Sequence, residues 1–299
     1  MPELPEVETV KRGLEPALVG RRISAIELRR ANLRFAFPVA FAQTMVGAGI
    51  EALERRAKYI LVGCDNGQTL IWHLGMTGRF TIVDPHGRAV EPGAFYHATE
   101  PAPLLLALGP HDHVVITLDD GVRVIYNDVR RFGFMEMVQT LGGEQHKLLR
   151  DLGVEPLGNG FNGAYLAAKF EAKKAPLKAA LLDQHVVAGL GNIYVSEALF
   201  RSGLSPLRKA GSLARRKTVD PRLDALVRHI KDILNEAIRA GGSTLQDFQG
   251  TSGEKGNFQQ RFSVYDRAGD ACMNSACGKP IKRIVQAGRS TFYCSSCQK

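Results

Sequence analysis

Tyr59-Ile-Leu-Val-Gly-Cys-Asp-Asn-Gly-Gln-Thr-Leu-Ile-Trp72 decides the fold class of the first half of the chain. Two short runs rich in β-branched and aromatic residues flank Asn66-Gly67, a dipeptide that tolerates the positive φ of a tight hairpin turn. The same signal returns where Val114-Val-Ile-Thr and Val122-Arg-Val-Ile flank Asp120-Gly121. From about Arg21 to Val138 the pattern is mostly strand, and an antiparallel β-sandwich is the natural way to bury its apolar faces. Ahead of it, Pro5 opens a helix with Val7, Val10 and Leu14 on one stripe and acidic residues near its positive N-terminal end. Residues 84–110, rich in Pro, Gly and Ala, read as a long loop inserted between strands.

After Gly142-Gly143 the spacing becomes helical. Asn162 is placed to cap a helix carrying Leu166 and Phe170, and a second apolar stretch runs from Pro176 to Asp183. Asn192 opens Ile193-Tyr-Val-Ser-Glu-Ala-Leu-Phe, which Gly203 closes. Asp220-Pro221 then begins a long amphipathic helix whose buried face holds Leu223, Leu226, Val227, Ile230, Leu234 and Ile238, ended by Gly241-Gly242. Residues 243–262 read as a Gly/Ser/Gln-rich loop. The fold class expected is therefore α+β and multidomain.

Cys272, Cys277, Cys294 and Cys297 form C-x4-C-x16-C-x2-C within the last 28 residues. Two close pairs separated by the length of a β-hairpin match a tetrahedral structural zinc site. A segment this short cannot bury a core of its own, and zinc supplies stability of order 10 kcal/mol to such modules. Two disulfides are the rival reading; no secretory signal is visible and a fifth cysteine, Cys64, is left over as a small core residue. One structural Zn2+ per chain is expected, and no redox cofactor.

The chain carries a net charge of +9, all of it in one half. Residues 1–150 hold 17 basic and 17 acidic side chains, whereas residues 151–299 hold 22 against 13. A basic half joined to a zinc module points to a polyanion, most simply nucleic acid. No apolar run approaches the roughly 20 residues of a membrane span, so no membrane partner is expected and the location reads as cytoplasmic.

The termini carry the chemistry. In Met1-Pro-Glu-Leu-Pro-Glu-Val-Glu8, trimming of Met1 would expose the secondary amine of Pro2. An α-amine has a pKa of roughly 8, against about 10.4 for lysine, so about a tenth of it is neutral at pH 7. A secondary amine attacking an aldehyde-like carbon gives an iminium directly, and Glu3 stands beside it as a proton carrier. Gly189-Leu-Gly-Asn192 precedes a helix, where free amides and the dipole favour a phosphate; taken alone, the residues fit a plain helix–helix turn with Asn192 as N-cap better. Arg289 lies at the tip of the expected cysteine-bounded hairpin, placed for a phosphate or a reacting sugar, or simply solvated. Met76, and Phe132 beside Arg130, follow the two hairpins; such apolar wedges beside an arginine fill a stack from which a base has been extruded, or else belong to a core. Lys58 opens a strand after Arg55-Arg-Ala57, to bind phosphate or only to flank the strand.

Together these pieces resemble the formamidopyrimidine-DNA glycosylase family of bacterial DNA glycosylase/AP lyases. The resemblance rests on Met1-Pro-Glu-Leu-Pro-Glu-Val-Glu-Thr, Arg55-Arg-Ala-Lys-Tyr, His73-Leu-Gly-Met-Thr-Gly, Arg130-Arg-Phe-Gly, Gly189-Leu-Gly-Asn-Ile-Tyr and Arg289-Ser-Thr-Phe-Tyr-Cys, in family order from end to end. It implies an N-terminal catalytic β-sandwich domain with its helix (1–140), a helical helix–two-turn–helix DNA-binding domain (150–258) and a C-terminal four-cysteine zinc finger with its β-hairpin (259–299). It implies base excision repair of oxidised purines, 8-oxoguanine and formamidopyrimidines, in double-stranded DNA, followed by β,δ-elimination at the abasic site. Pro2 would be the Schiff-base nucleophile and Glu3 the general acid/base. Lys58 would donate a proton in β-elimination and Arg289 in δ-elimination. Met76, Arg130 and Phe132 would fill the vacated stack and meet the orphaned cytosine. Asn192 would hold phosphate, with His111, Lys173 and Lys178 as further DNA contacts. Monomeric action in the bacterial cytoplasm, at the nucleoid, completes the expectation.

Three departures stand out. The first cysteine pair is C-x4-C where the family usually has two intervening residues, Val129 replaces the usual proline, and the 84–110 loop is long. The sister branch, endonuclease VIII, shares the fold but acts on oxidised pyrimidines; Leu4, in place of the glycine usual there, and the wedge residues favour the purine branch. A zinc-dependent DNA-binding protein without activity would be expected to have lost Pro2, Glu3 or Lys58, and all three are present.

Overall fold

The structure is a computed structural model that describes residues 2–90, 107–214, 219–243 and 258–299. It divides into two compact units, Met1–Arg150 with Ala240–Asn257, and Asp151–Arg239 with Phe258–Lys299.

The first unit opens with helix α1 (Leu4–Leu18), followed by strand β1 (Ile23–Leu28) and the single turn α2 (Phe41–Met45). Strands β2 (Ile50–Arg56), β3 (Tyr59–Cys64), β4 (Gln68–His73), β5 (Gly78–Val83), β6 (Ala89–Val90), β7 (Asp112–Leu118), β8 (Arg123–Asp128) and β9 (Phe134–Gln139) complete it. They form a four-stranded sheet in the order β2-β3-β4-β9 and a five-stranded sheet in the order β1-β7-β8-β5-β6, with every pairing antiparallel. Both expected hairpins form: Tyr59 pairs with His73 across Asn66-Gly67, and Ile116 pairs with Val124 across Asp120-Gly121. Gly67 and Gly121 take φ of +76° and +83° at these turns, a region closed to most L-residues.

One core lies between the sheets. Leu53, Ile60, Val62, Leu70 and Trp72 contribute from one side, Phe80, Val114, Ile116, Val124 and Tyr126 from the other, and Val7, Val10, Leu14 and Leu18 of α1 close it. In β3 burial alternates residue by residue, as a half-buried strand requires. Residues 84–110 are not loop throughout: Ala89–Val90 adds a short strand to the edge of β5. The stretch from 91 to 106 lies outside the described residues.

In the second unit helix α3 (Gly163–Phe170) starts at the expected cap, the Asn162 Oδ1 accepting from the Tyr165 N–H at 2.9 Å. It is followed by α4 (Leu177–Leu182), α5 (Asn192–Arg201) and α6 (Pro221–Arg239). Leu223, Leu226, Val227, Ile230, Leu234 and Ile238 are all buried along α6, as the amphipathic pattern predicts. The chain ends in the hairpin β10 (Lys282–Gln286) and β11 (Arg289–Tyr293). The expected loop at 243–262 is described only at its ends, where Phe258–Arg261 forms a turn of 3-10 helix. No helix among the described residues is long and apolar enough to cross a membrane.

Trp72, Phe80 and Tyr126 pack as tilted rings in the sandwich core with centroid separations of 4.9 and 5.1 Å. Phe80→Ala is expected to destabilise the protein by about 3–5 kcal/mol through the cavity it leaves. Urea denaturation followed by tryptophan fluorescence of Trp72 checks this.

Candidate functional site

Pro2 is buried at the mouth of α1, and Glu3, 4 % exposed, is the residue that caps that helix. The cap is reciprocal: Glu6 Oε2 accepts the Glu3 N–H at 2.9 Å, while the Glu3 carboxylate accepts the backbone N–H of Glu6. The other oxygen of Glu6 accepts the N–H and hydroxyl of Ser243 at 2.7 and 2.9 Å. One carboxylate thus ties the first catalytic candidates to the segment that follows α6. Gly242, with φ of +86°, lies against it, where a Cβ would press on the Glu6 carboxyl.

Lys58 occupies the two-residue turn of the β2–β3 hairpin, where Arg56 pairs with Tyr59 and Ala57 takes φ of +55°. Arg55 holds that turn to α1. It bonds the Ala57 carbonyl at 3.0 Å and forms an ion pair with Glu8 at 2.9 Å, both side chains largely buried. Burial alone would raise Glu8, but the Arg12 and Arg55 guanidiniums bring it below the ordinary carboxylate range. Sequence reasoning passed over His73, which pairs with Tyr59 and stacks on Phe134 at 5.0 Å. Burial, with the charges of Lys58 and Arg34, pushes its imidazole down to about 4, and its Nδ1 accepts the Gly75 N–H at 3.0 Å. His73 is a neutral ring beside the Lys58 turn.

Met76 lies in the turn between β4 and β5, and Arg130 and Phe132 in the loop between β8 and β9. These two loops pack backbone against backbone. A Cβ at Gly75 would run into Phe132 and Gly133, and one at Gly78 or Gly133 would run into the Tyr126 hydroxyl. That contact is why both sequence motifs are punctuated by glycine. Phe132 is 43 % exposed, and the Arg130 guanidinium sits over its ring at 4.7 Å. Arg131 takes φ of +55°. Val129, in the usual proline position, is exposed, and hydrogen bonds from Arg130, Arg131 and Gly133 fix the loop around it. His111 is exposed, edge-on to His113.

In the second unit the turn before α5 is closed by Gln184. Its Oε1 accepts the Gly189 N–H, while its Nε2 donates to the carbonyls of Leu182 and Leu190. Asn192 starts α5, and its Nδ2 donates to the Ser290 carbonyl at 2.9 Å. Lys178 is 1 % exposed and converges on the same strand, donating to Ser290 O at 2.9 Å and to Thr291 Oγ1 at 2.7 Å. These two residues therefore hold the start of the second hairpin strand, directly beside the exposed Arg289. Lys173 is half-buried, with Nζ 3.4 Å from the Asp183 carboxylate.

The four cysteine sulfurs lie within 4.8 Å of one another, Cys272 and Cys297 at 3.8 Å and Cys277 and Cys294 at 3.6 Å. A tetrahedron of Zn–S bonds of about 2.3 Å has an edge of about 3.8 Å. A disulfide would need about 2.05 Å. The donors therefore fit one structural zinc, which Cys272, Cys277, Cys294 and Cys297 would hold. Backbone donation from Lys279 lowers Cys277 to about 7, whereas burial and the other sulfurs push Cys297 up to about 12. A bound divalent cation would favour the thiolate form of all four. The longer C-x4-C is accommodated by Asn274: its carbonyl accepts the Cys277 N–H, and its Nδ2 donates to Cys297 Sγ at 3.5 Å. Val264, Ile281 and Phe292 pack beneath, and the buried Glu197 of α5 accepts the N–H groups of Ser263, Val264 and Tyr265.

The chain thus joins a sandwich headed by Pro2 and α1 to a helical unit that ends in a four-cysteine hairpin. Three family models match: the formamidopyrimidine-DNA glycosylase N-terminal domain over residues 1–135, the formamidopyrimidine-DNA glycosylase H2TH domain over 152–249, and the zinc finger found in FPG and IleRS over 270–299. The formamidopyrimidine-DNA glycosylase of Methylobacterium sp. (strain 4-46) is 53% identical over 299 residues, covering 100% of this chain and 99% of that one. The crystal structure of MutM (FPG) from Thermus thermophilus is similar with a TM-score of 0.79 and 35% identity, covering 99% of this chain and 98% of that one. Wild-type Lactococcus lactis Fpg (MutM), solved with DNA containing N7-benzyl-Fapy-dG, is similar with a TM-score of 0.81 and 30% identity, covering 100% of both. The chain belongs to the formamidopyrimidine-DNA glycosylase family.

Metal analysis is expected to find one zinc per chain, and Cys294→Ser is expected to lose it. For His73, the folded pKa of about 4 lies below the unfolded value near 6.5. The unfolded chain therefore takes up a proton that the native ring refuses, and stability falls as pH drops from 6.5 towards 4. NMR of the His73 ring should show it still neutral at pH 5.5.

Proposed function

We propose that the Pro2 nitrogen, freed of Met1, attacks C1′ of an oxidised purine nucleoside in double-stranded DNA. The bond from C1′ to the base breaks, and the base leaves with the bonding electrons, protonated through Glu3. Glu3 also serves sugar-ring opening, which leaves an iminium between Pro2 and C1′. That cation acidifies the C2′ proton, whose removal expels the 3′ phosphate; a second elimination expels the 5′ phosphate. Lys58 donates a proton in the first elimination and Arg289 in the second. A freed α-amine suits nucleophilic attack near neutrality, since about a tenth of it is neutral at pH 7. The reading is supported by Pro2 and Glu3 at the head of α1, with the Lys58 turn bound to the same helix through Arg55 and Glu8.

Met76 and Phe132 enter the stack vacated by the damaged base, and Arg130 meets the orphaned cytosine. His111, Lys173, Lys178 and Asn192 serve the DNA backbone, Lys178 and Asn192 acting through the strand that presents Arg289. Zinc takes no part in bond breaking; it holds the hairpin. The division of labour follows a catalytic domain at 1–140, a DNA-binding helical domain at 150–258 and a zinc finger at 259–299. The protein works as a monomer in the bacterial cytoplasm, on nucleoid DNA.

Borohydride added to processed enzyme and duplex with 8-oxoguanine opposite cytosine is expected to trap a covalent complex. A chain that retains Met1 should give none, and efficient trapping with Met1 retained would overturn the assignment of Pro2. A parallel duplex with an oxidised pyrimidine should be trapped far less. Arg289→Ala is expected to weaken duplex binding and reduce the slope of log K against log salt by about 1. Fluorescence anisotropy across a salt series checks this.

A further inference from the structure

Asp128 is 0 % exposed at the end of β8, and none of the roles above uses it. Its Oδ1 accepts the Thr77 hydroxyl at 2.5 Å, and the Thr77 oxygen in turn accepts the Arg130 N–H at 3.0 Å. Its Oδ2 accepts the Gly133 N–H at 2.8 Å and the Tyr126 hydroxyl at 3.3 Å. Its backbone N–H donates to the His111 carbonyl at 3.0 Å, and its carbonyl accepts His113 Nε2–H at 2.9 Å and the Arg131 N–H at 3.3 Å. Tyr126 and His113 belong to β8 and β7, and the other groups bound to this one residue come from three separate loops, those after β4, before β7 and after β8.

Those loops carry Met76, His111, and Arg130 with Phe132. We propose that Asp128 is the positioning residue for the surface that meets the base opposite the lesion, locking the three loops into one arrangement before DNA arrives. This rests on the reading of Met76, Arg130 and Phe132 given above. The chemistry demands a carboxylate. Three donors point at its two oxygens, and an ionised carboxylate accepts at both without presenting a hydrogen of its own. An asparagine that turns its NH2 towards Gly133 and Tyr126 loses both donors, and one that turns it towards Thr77 forces that hydroxyl to accept twice and leaves its own hydrogen without the partner it had. Thr77 is the relay: only a side chain that both donates and accepts can join the Asp128 carboxylate to the Arg130 backbone. Because the loops also touch through Gly75 and Gly133, a shift in one is transmitted to the other.

The test compares single-turnover excision of 8-oxoguanine opposite cytosine and opposite adenine by wild type, Asp128→Asn, Thr77→Val, Thr77→Ser and Arg130→Ala. Borohydride trapping on a single-stranded abasic oligonucleotide, which has no opposite base, reports the amine chemistry separately. Asp128→Asn and Thr77→Val are expected to lower the cytosine-over-adenine ratio roughly tenfold, in the range of one misplaced base contact. Trapping on the single strand should stay close to wild type, and Thr77→Ser, which keeps the relay hydroxyl, should keep the ratio. If Arg130→Ala loses the ratio while Asp128→Asn and Thr77→Val retain it, the positioning role is wrong and the wedge reading stands. If Arg130→Ala also retains it, the wedge reading fails first. Equal loss of trapping and of both excision rates would mean a merely structural carboxylate, and overturns the proposal. Should Asp128→Asn not fold, Thr77→Val against Thr77→Ser decides.

Discussion

Chain ends fray, and the groups proposed to act on DNA lie near both ends of this chain. The controlling constraint is that each terminus must be made rigid by something stronger than packing. At the N-terminus the device is a carboxylate: Glu6 grips the Glu3 backbone with one oxygen and Ser243 with the other. At the C-terminus it is a cluster of four cysteine sulfurs placed to share one zinc ion. The last residues are then stitched down further. The Gln298 side chain accepts the Cys294 N–H and donates to Leu204 O, and the Lys299 N–H donates to Gly203 O.

The two units treat charge differently. In the first, ionised groups are matched locally, as in Arg55 with Glu8 or Arg22 with Asp65, and the half carries no net charge. In the second the excess of basic groups is divided between uses. Lys178 is withdrawn from solvent and serves the hairpin strand, whereas Arg289 stands exposed at its tip. A buried ammonium that organises an exposed guanidinium costs desolvation once, at folding, and leaves a preset cation for an anionic ligand.

Much of this architecture was legible in the sequence, and the reason is periodicity. Asn66-Gly67 and Asp120-Gly121 announced their hairpins, Asn162 its cap and Asp220-Pro221 the start of α6, because turns and helix ends demand particular backbone angles or donors. The cysteine spacing announced the metal for a similar reason. Asp128 lies in no motif, and Thr77, Glu6 and His73 lie in motifs that give them no role of their own. Each acts through partners distant in the chain, as Asp128 does with Thr77 and Glu6 with Ser243, and no local pattern encodes such a pairing. The two-residue strand at Ala89 was likewise hidden inside a stretch with loop composition. Lys178 was assigned by resemblance to DNA contact; its place under the hairpin strand emerges only when α4 and β11 are seen side by side.

The C-x4-C knuckle has a consequence for how such modules diverge. A tetrahedral ion measures the separation of sulfurs and is indifferent to the contour of peptide between them. Two additional residues, bridged here by Asn274 between Cys277 and Cys297, leave the corner-to-corner distances intact. Insertions at this knuckle are therefore among the least costly length changes available to the module, while displacement of any one sulfur by an ångström is among the most costly. Kinship among these fingers is kept in the polyhedron and lost in the count of residues.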